Sequence, residues 1–376
     1  ALTGAMTSTG NISGSSTSNL SITGSGALGA NIFMNQSSVG SSNRLNNFTV
    51  NRTGGATITL GNALQVQGVV THTSGTIAST GSGFLQLKAP AAATYGQIAG
   101  TGSGSITGTI TSEFYIDTAT GKWRQICSPF ASSTLADIND DLTLNFGTPN
   151  SSYTNVWYLD ESQAGASNAG AWRAGADTTE SMNDRGYSIY VFSEQLPATL
   201  DISGTYSNTD YTTPALTRTG SITDTTGFHL IRNAWPSGYN HSTTVTNLQG
   251  NTIYVYDGNT AQSWNGSVGT LAGGIVPPFH AFFVEVASNN ATLTFPTANR
   301  STTVGNYMDK NGLDNYVALK VTSVSGESDE TYIYTQDGAK NDYEINDGRK
   351  WINGGKMEMG CMDVGPGLVY KQCNMH

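Results

Sequence analysis

Two short stretches place oxygen ligands at alternating positions. "DINDD" supplies Asp137, Asn139 and Asp141, and "DKNGLD" supplies Asp309, Asn311 and Asp314. Alternating carboxylate and amide oxygens on a tight loop suit calcium, a hard cation that takes about six to eight oxygen ligands. Neither stretch has the full loop with its closing glutamate, so a solvated acidic turn is the simpler account of each. Calcium is the one cofactor the sequence brings into question. Asp160 and Glu161 follow Trp157 and Tyr158. Carboxylates beside aromatic rings suit a sugar-binding edge or an acid/base pair for glycoside hydrolysis, although many strands simply end in an acidic turn.

The remaining chemistry-bearing residues are sparse. His229 and His280 lie in strand-like runs and His241 in a loop, and none is at metal-ligand spacing from another. The sequence has no HExxH, GxSxG, P-loop or CxxC pattern, so it offers no catalytic residue by motif. Cys361 and Cys373 enclose a short Gly/Pro loop and are placed to close a disulfide in an oxidising compartment. Cys127, within a predicted strand, reads as a small buried hydrophobe.

The elements that hold these residues follow from composition. Only 12% of the 376 residues are charged, about half the usual share, and Gly is abundant at 45 residues. That combination predicts β structure with many turns. A net charge of −10 argues against nucleic acid or an anionic membrane as partner. No apolar run approaches the roughly 20 residues that span a bilayer. Before Glu113 there is no Asp or Glu, and Arg44, Arg52 and Lys88 are the only basic residues. The shift predicts a domain boundary near 112.

Residues 1–112 contain alternating runs, "LNNFTV", "ATITL", "LQVQGVV", "FLQLKA" and "SITGTI", separated by Gly/Ser/Asn corners. Leu45, Leu64, Leu85 and Ile106 recur about every 20 residues, the mark of a parallel β-solenoid. Without acids, this solenoid has no carboxylates for calcium or for hydrolysis. The Thr57/Thr59 and Thr71/Thr73 pairs read as ordinary strand threonines.

The second part repeats internally. "GKWRQICSPF" matches "GFHLIRNAWPS", "NVWYLDE" matches "TIYVYDG", and "RGYSIYVFSEQLPATLDISG" matches "HAFFVEVASNNATLTFPT". Trp172 and Trp264 follow the middle pair. Each copy predicts three or four antiparallel strands. The expected class is therefore all-β: a solenoid over 1–112, β-sandwich units over 113–224 and 225–310, and strands with an irregular tail over 311–376.

"GSITGTITSEFYI" leading into "GKWRQICSPF", then "IVPPFHAFFVEV" and "DGAKNDYEINDGRK", resembles secreted and cell-surface proteins of Bacteroidota exported by the type IX secretion system. In this chain Arg232 and Ala234 stand where that family's turn usually has Gly and Pro. Phe279-His280-Ala281 replaces its Gly-Gln-Gly. The resemblance implies an extracellular or cell-surface location but brings no catalytic residues. It also implies an O-glycosylation pattern, matched at Thr118, Thr178 and Thr225, each after an Asp.

Two functional expectations result. One is a non-enzymatic structural or adhesive surface protein, self-assembling into a fibre or layer and contacting surface glycans. The other is a glycan-binding or polysaccharide-active module using exposed Trp157, Trp172, Trp235 or Trp264 with nearby carboxylates.

Overall fold

Alternation of aliphatic and small polar residues builds a three-faced coil. The structure is a computed structural model. It describes residues 2–304 except 5, 7–9, 82, 92–93, 101, 117–121, 148–153, 164–170, 223–225 and 257–260. Beyond 304 it describes residue 324 and the backbone of four strands.

The solenoid strands are β1 (Asn19–Ser25), β2 (Arg44–Leu45), β3 (Asn47–Thr53), β4 (Thr57–Leu60), β5 (Leu64–Val66), β6 (Val69–Ser74), β7 (Thr76–Ser79), β8 (Leu85–Leu87), β9 (Gln97–Ile98) and β10 (Ser105–Ile116). One face stacks β1-β3-β6-β9, a second β4-β7-β10 and a third β2-β5-β8-β10, all parallel. Side chains alternate inward and outward along each strand, so the inner columns are aliphatic: Ile58–Ile77–Ile106, Leu64–Leu85–Ile110 and Leu45–Val66–Leu87. Parallel bridges Leu2–Ile22, Ile12–Met34 and Ile32–Leu60 extend the stack toward the N-terminus.

The predicted register is corrected in two places. Leu45 stacks on Val66, not on Leu64, and Ile106 belongs to a different face from Leu85. The turns between faces vary in length, so an even spacing in sequence does not mark one column.

Strand β10 joins the two parts of the molecule. Its first half pairs β7, its middle pairs β8, and Thr109–Ile116 runs antiparallel to the strand Ala198–Thr205. Gly108 sits at the change of face with φ +83°, where a Cβ would lie 2.0 Å from the Ser79 carbonyl oxygen; only glycine fits. The composition break at 112/113 thus falls inside a continuous strand. The last coil is covered elsewhere too: Gln97 bonds the Thr302 carbonyl (3.0 Å) and the Gly238 N–H (3.2 Å).

Beyond β10 come β11 (Lys122–Ile126), the short helix α1 (Ala136–Asn139), β12 (Val156–Leu159), β13 (Trp172–Ala174), β14 (Tyr187–Val191), β15 (Ala198–Thr205), β16 (Tyr211–Thr212), β17 (Phe228–Ile231), β18 (Gly238–Asn240), β19 (Leu248–Tyr256), β20 (Ala261–Trp264), β21 (Ile275–Val276), β22 (Phe282–Val286), β23 (Thr294–Phe295) and β24 (Arg300–Ser301). The internal repeat is realised as two antiparallel sheets of the same order, β11-β14-β12-β13 and β17-β22-β19-β20. The two tryptophans, however, are not equivalent. Trp172 opposes Leu159 beside its hairpin loop, whereas Trp264 opposes Ile253 at the far end of its own.

One hydrophobic core runs from Ile22 in the solenoid to Ile202 and Tyr206. A second fills the other unit, from Tyr211 to Phe295. A thin third cluster, including Leu159, Phe228, Leu230 and Phe283, packs the two repeat sheets together. The hand-over between units therefore falls between Tyr206 and Tyr211, earlier than the expected 224, because β16 pairs β23. Two further antiparallel pairs follow: β25 (Tyr316–Thr322) with β26 (Ser328–Tyr334), and β27 (Met359–Met362) with β28 (Gln372–Met375). Among the described residues no helix is long and apolar enough to cross a membrane.

Candidate functional site

The adjacent carboxylates Asp160 and Glu161 stand at the end of β12, where the chain turns into a single 3-10 turn, and their roles diverge. Glu161 is buried, 1% exposed. Its Oε1 accepts from the Thr219 N–H (2.8 Å), the Thr219 hydroxyl (3.0 Å) and the Gly227 N–H (2.9 Å). It therefore ties the first unit to both ends of the segment that leads into β17. Its Oε2 has no hydrogen-bond partner. Gly227 is required there: at φ +81° a Cβ would meet the Arg218 guanidinium at 2.7 Å. Arg218 in turn forms a buried ion pair with Glu285 and donates to the Val286 carbonyl (2.8 Å). Asp160 is half-buried and its Oδ1 accepts from the Ser162 N–H (3.2 Å) and hydroxyl (2.6 Å).

Asp160 and Glu161 line a crevice of about 260 Å³ where β12 of one unit meets β17 of the other. Tyr158, Asp184, Arg185 and His229 complete its polar wall. The Arg185 guanidinium lies 4.5 Å from the centre of the Tyr158 ring, a cation–π contact. His229 Nε2 is 2.8 Å from the Thr217 carbonyl. Burial, opposed by that bond, holds His229 below the ordinary histidine range. The ring is neutral at neutral pH, with its proton on Nε2.

None of Trp157, Trp172, Trp235 and Trp264 is exposed. Trp235 is buried, 2% exposed. Trp157, Trp172 and Trp264 are half-buried. Trp157 Nε1 donates to the Thr154 carbonyl (3.2 Å) and Trp264 Nε1 to the His241 carbonyl (2.8 Å). Trp172 packs edge-on to Phe283. The expectation of exposed tryptophans is corrected: aromatic density here fills the seams between sheets.

In "DINDD" one side-chain oxygen each of Asp137, Asn139 and Asp141 accepts a backbone N–H. Asp137 accepts from Thr134 (2.8 Å), Asn139 from Leu144 (3.1 Å) and Asp141 from Asp201 (2.7 Å). Among the described residues no group of three or more His, Cys, Asp or Glu side chains could hold a metal ion. Burial, then the nearby charges of Asp201, Asp140 and Glu113, pushes Asp141 up to about 6 against the hydrogen bond from Asp201. Asp309, Asn311 and Asp314 lie outside the described residues, as do Thr118 and Thr225.

Thr178 is half-buried in a turn, and its carbonyl accepts from the Ala136 N–H (2.9 Å). Hydrogen bonds from Thr179 to Asp177 stabilise the same turn. Cys361 and Cys373 are cross-strand partners in the β27–β28 register. Opposed Cα atoms of an antiparallel pair are about 4.5–5.5 Å apart, a span a disulfide bridges. Cys127 is buried and free as expected, and burial raises its thiol to about 12. His229 is in β17 and His241 follows β18, while His280 forms an isolated antiparallel bridge with Ile126 just before β22.

Three features were not singled out in the sequence. Arg52, 1% exposed, donates to the carbonyls of Gly26 (2.8 Å), Thr23 (2.7 Å), Ser25 (2.8 Å) and Ala27 (3.3 Å). His72 is fully buried, edge-on to Tyr206, and neither ring nitrogen has a partner. Its place two residues after inward-facing Val70 was the available signal. The third, the Arg185–Tyr158 pair, spans two strands and had none. Compared with known proteins, the chain matches no family model, no curated protein and no solved structure.

Proposed function

We propose that the chain is a non-enzymatic structural and adhesive protein of the cell exterior, in which a stiff solenoid carries two paired β units. The observation that carries this reading is the single core that continues from the solenoid through β10 into the first unit. The second unit is hydrogen-bonded to the last coil at Gln97. Such a body transmits force without an internal hinge. The buried role of Glu161 supports it further, because a carboxylate holding three donors in place is poorly suited to moving protons.

A Cys361–Cys373 disulfide and export by the route of the type IX secreted proteins belong to the same proposal. Mass measurement before and after reduction tests the first. Self-association into a fibre or layer would have to use faces other than the covered C-terminal end of the solenoid. Light scattering of the chain with and without residues 1–18 tests it.

The deciding experiment is antibody labelling of intact source cells, with the expected signal lost after external protease. A parallel assay on a polysaccharide panel is expected to show no turnover. A cytosolic location would overturn the proposal. So would turnover that disappears in Asp160→Asn, which would favour a hydrolase.

A further inference from the structure

We infer that the crevice between the two units is a recognition site for one neutral sugar ring. This stands apart from the structural reading, since a scaffold lacking the site would remain a scaffold.

The argument rests on which groups around the crevice are already engaged. Arg185 is exposed and stacked on Tyr158, and among the described residues it has no hydrogen bond or ion pair. Asp184, beside it, is exposed and likewise has no hydrogen-bond partner among them. Asp160 uses one oxygen within its own turn. Glu161 is buried beneath with one oxygen satisfied three times and the other not at all. His229 has its proton fixed on Nε2 by the Thr217 carbonyl, which leaves Nδ1 as an acceptor. A buried carboxylate oxygen with no partner costs free energy unless a ligand or water supplies a donor.

The ligand class follows from this inventory. An anion would meet three carboxylates, and a cation would meet an unpaired guanidinium already over the aromatic face. Hydroxyl groups both donate and accept, so adjacent hydroxyls on a ring can satisfy a carboxylate and a guanidinium together. Pro214 and Leu216 supply an apolar wall for the C–H edge of the ring. At about 260 Å³ the crevice is smaller than the roughly 300–1,000 Å³ of sites for drug-sized ligands. That size suits a single ring held at a chain end or branch.

The test is calorimetric titration with free glucose, galactose, mannose and N-acetylglucosamine, alongside an array of immobilised neutral glycans. Arg185→Ala and Asp184→Asn are measured in parallel, with melting curves to establish folding. Both side chains are exposed, so the variants should melt like the parent. Saturable binding of at least one sugar, weakened roughly tenfold or more in each variant, is expected. The inference is overturned if no sugar or array glycan binds the parent. It is also overturned if binding survives unchanged in both variants, or is lost only on replacing Trp172 or Trp264. Cell-surface labelling is independent of all these outcomes, so failure here leaves the structural proposal untouched.

Discussion

The first 112 residues contain three charged side chains, while all 27 carboxylates lie in the rest of the chain. Yet charge does similar work in both regions. Within the solenoid, neighbouring coils supply hydrogen-bond partners in register, and neutral amides extend the ladder: Asn47 Oδ1 accepts from the Val69 N–H (2.8 Å) and Gln65 donates to Gln86 (3.1 Å). At the end of β1, where the chain leaves the strand for the turn at Gly26, the carbonyls of Thr23, Ser25, Gly26 and Ala27 converge, and there Arg52 gathers them. In the paired units such places are frequent. Glu161 gathers N–H groups at the seam, Arg218 pairs with Glu285, and Arg300 reaches Tyr206 and Asn208 between units. Regular repetition makes charge dispensable, whereas junctions between sheets depend on it.

The strongest challenge to that comparison is Glu161→Ala. It strands three donors, at least one of them fully buried, and should lower stability by about 3–5 kcal/mol in chemical denaturation. Glu161→Gln keeps an acceptor oxygen and should recover most of the loss. A neutral Ala variant would mean that the seam is held by its apolar cluster alone. Within the solenoid, Arg52→Met should cost about 2–4 kcal/mol by leaving several carbonyls unsatisfied. Arg52→Lys should recover only part, because an ammonium cannot spread its donors as a planar fork does. Equal stability of all three Arg52 forms would show that the turn needs no charge.

Acid should separate the regions further. His72, His241 and His280 are lowered to about 4, chiefly by burial, and His229 is lowered as well. A histidine whose folded pKa lies below its unfolded value of about 6.5 contributes stability that is complete above that pH. The contribution falls as pH drops toward 4, at about 1.4 kcal/mol per pH unit for each histidine. Three of the four lie in the paired units and one in the solenoid. Hydrogen exchange at pH 5 should therefore show the units opening before the coils. If the coils open first, the unpartnered His72 dominates and the ordering is wrong.

What the sequence made legible follows the same division. Strand alternation and Gly/Ser/Asn corners are local, so the solenoid was readable, and motif pairs located the two repeat sheets. The column assignments were not readable, because coil length depends on turns that leave no periodic trace. The place of Asp160 and Glu161 at a strand end was visible. The function of Glu161 was not, since its partners are 58 and 66 residues away in a segment with no pattern. The open tryptophan platform failed for a related reason: composition shows that aromatic residues are present but not which of two sheets will cover them.

Asp141 offers the smallest effect and the sharpest test of whether the acidic cluster below β15 is a cost or a site. Its carboxyl is raised to about 6, above the ordinary value of 3.8, by burial and by Asp201, Asp140 and Glu113. A raised folded pKa means folding favours the protonated form. That contribution is complete below about 3.8 and is lost as pH rises through about 6. At pH 7.5 the ionised group should therefore weaken the fold slightly, by under about 1 kcal/mol because solvent screens a half-exposed carboxylate. Asp141→Asn keeps an oxygen to accept the Asp201 N–H and removes the charge. Its melting temperature should exceed that of the parent at pH 7.5, with the advantage fading by pH 4. Calcium supplies the counter-test. If Asp137, Asn139 and Asp141 ligate it, added calcium should raise the parent's melting temperature at pH 7.5, and Asp141→Asn should abolish that rise. If calcium changes neither protein while the substitution still stabilises, the cluster is repulsion left by the fold at the junction of the two regions.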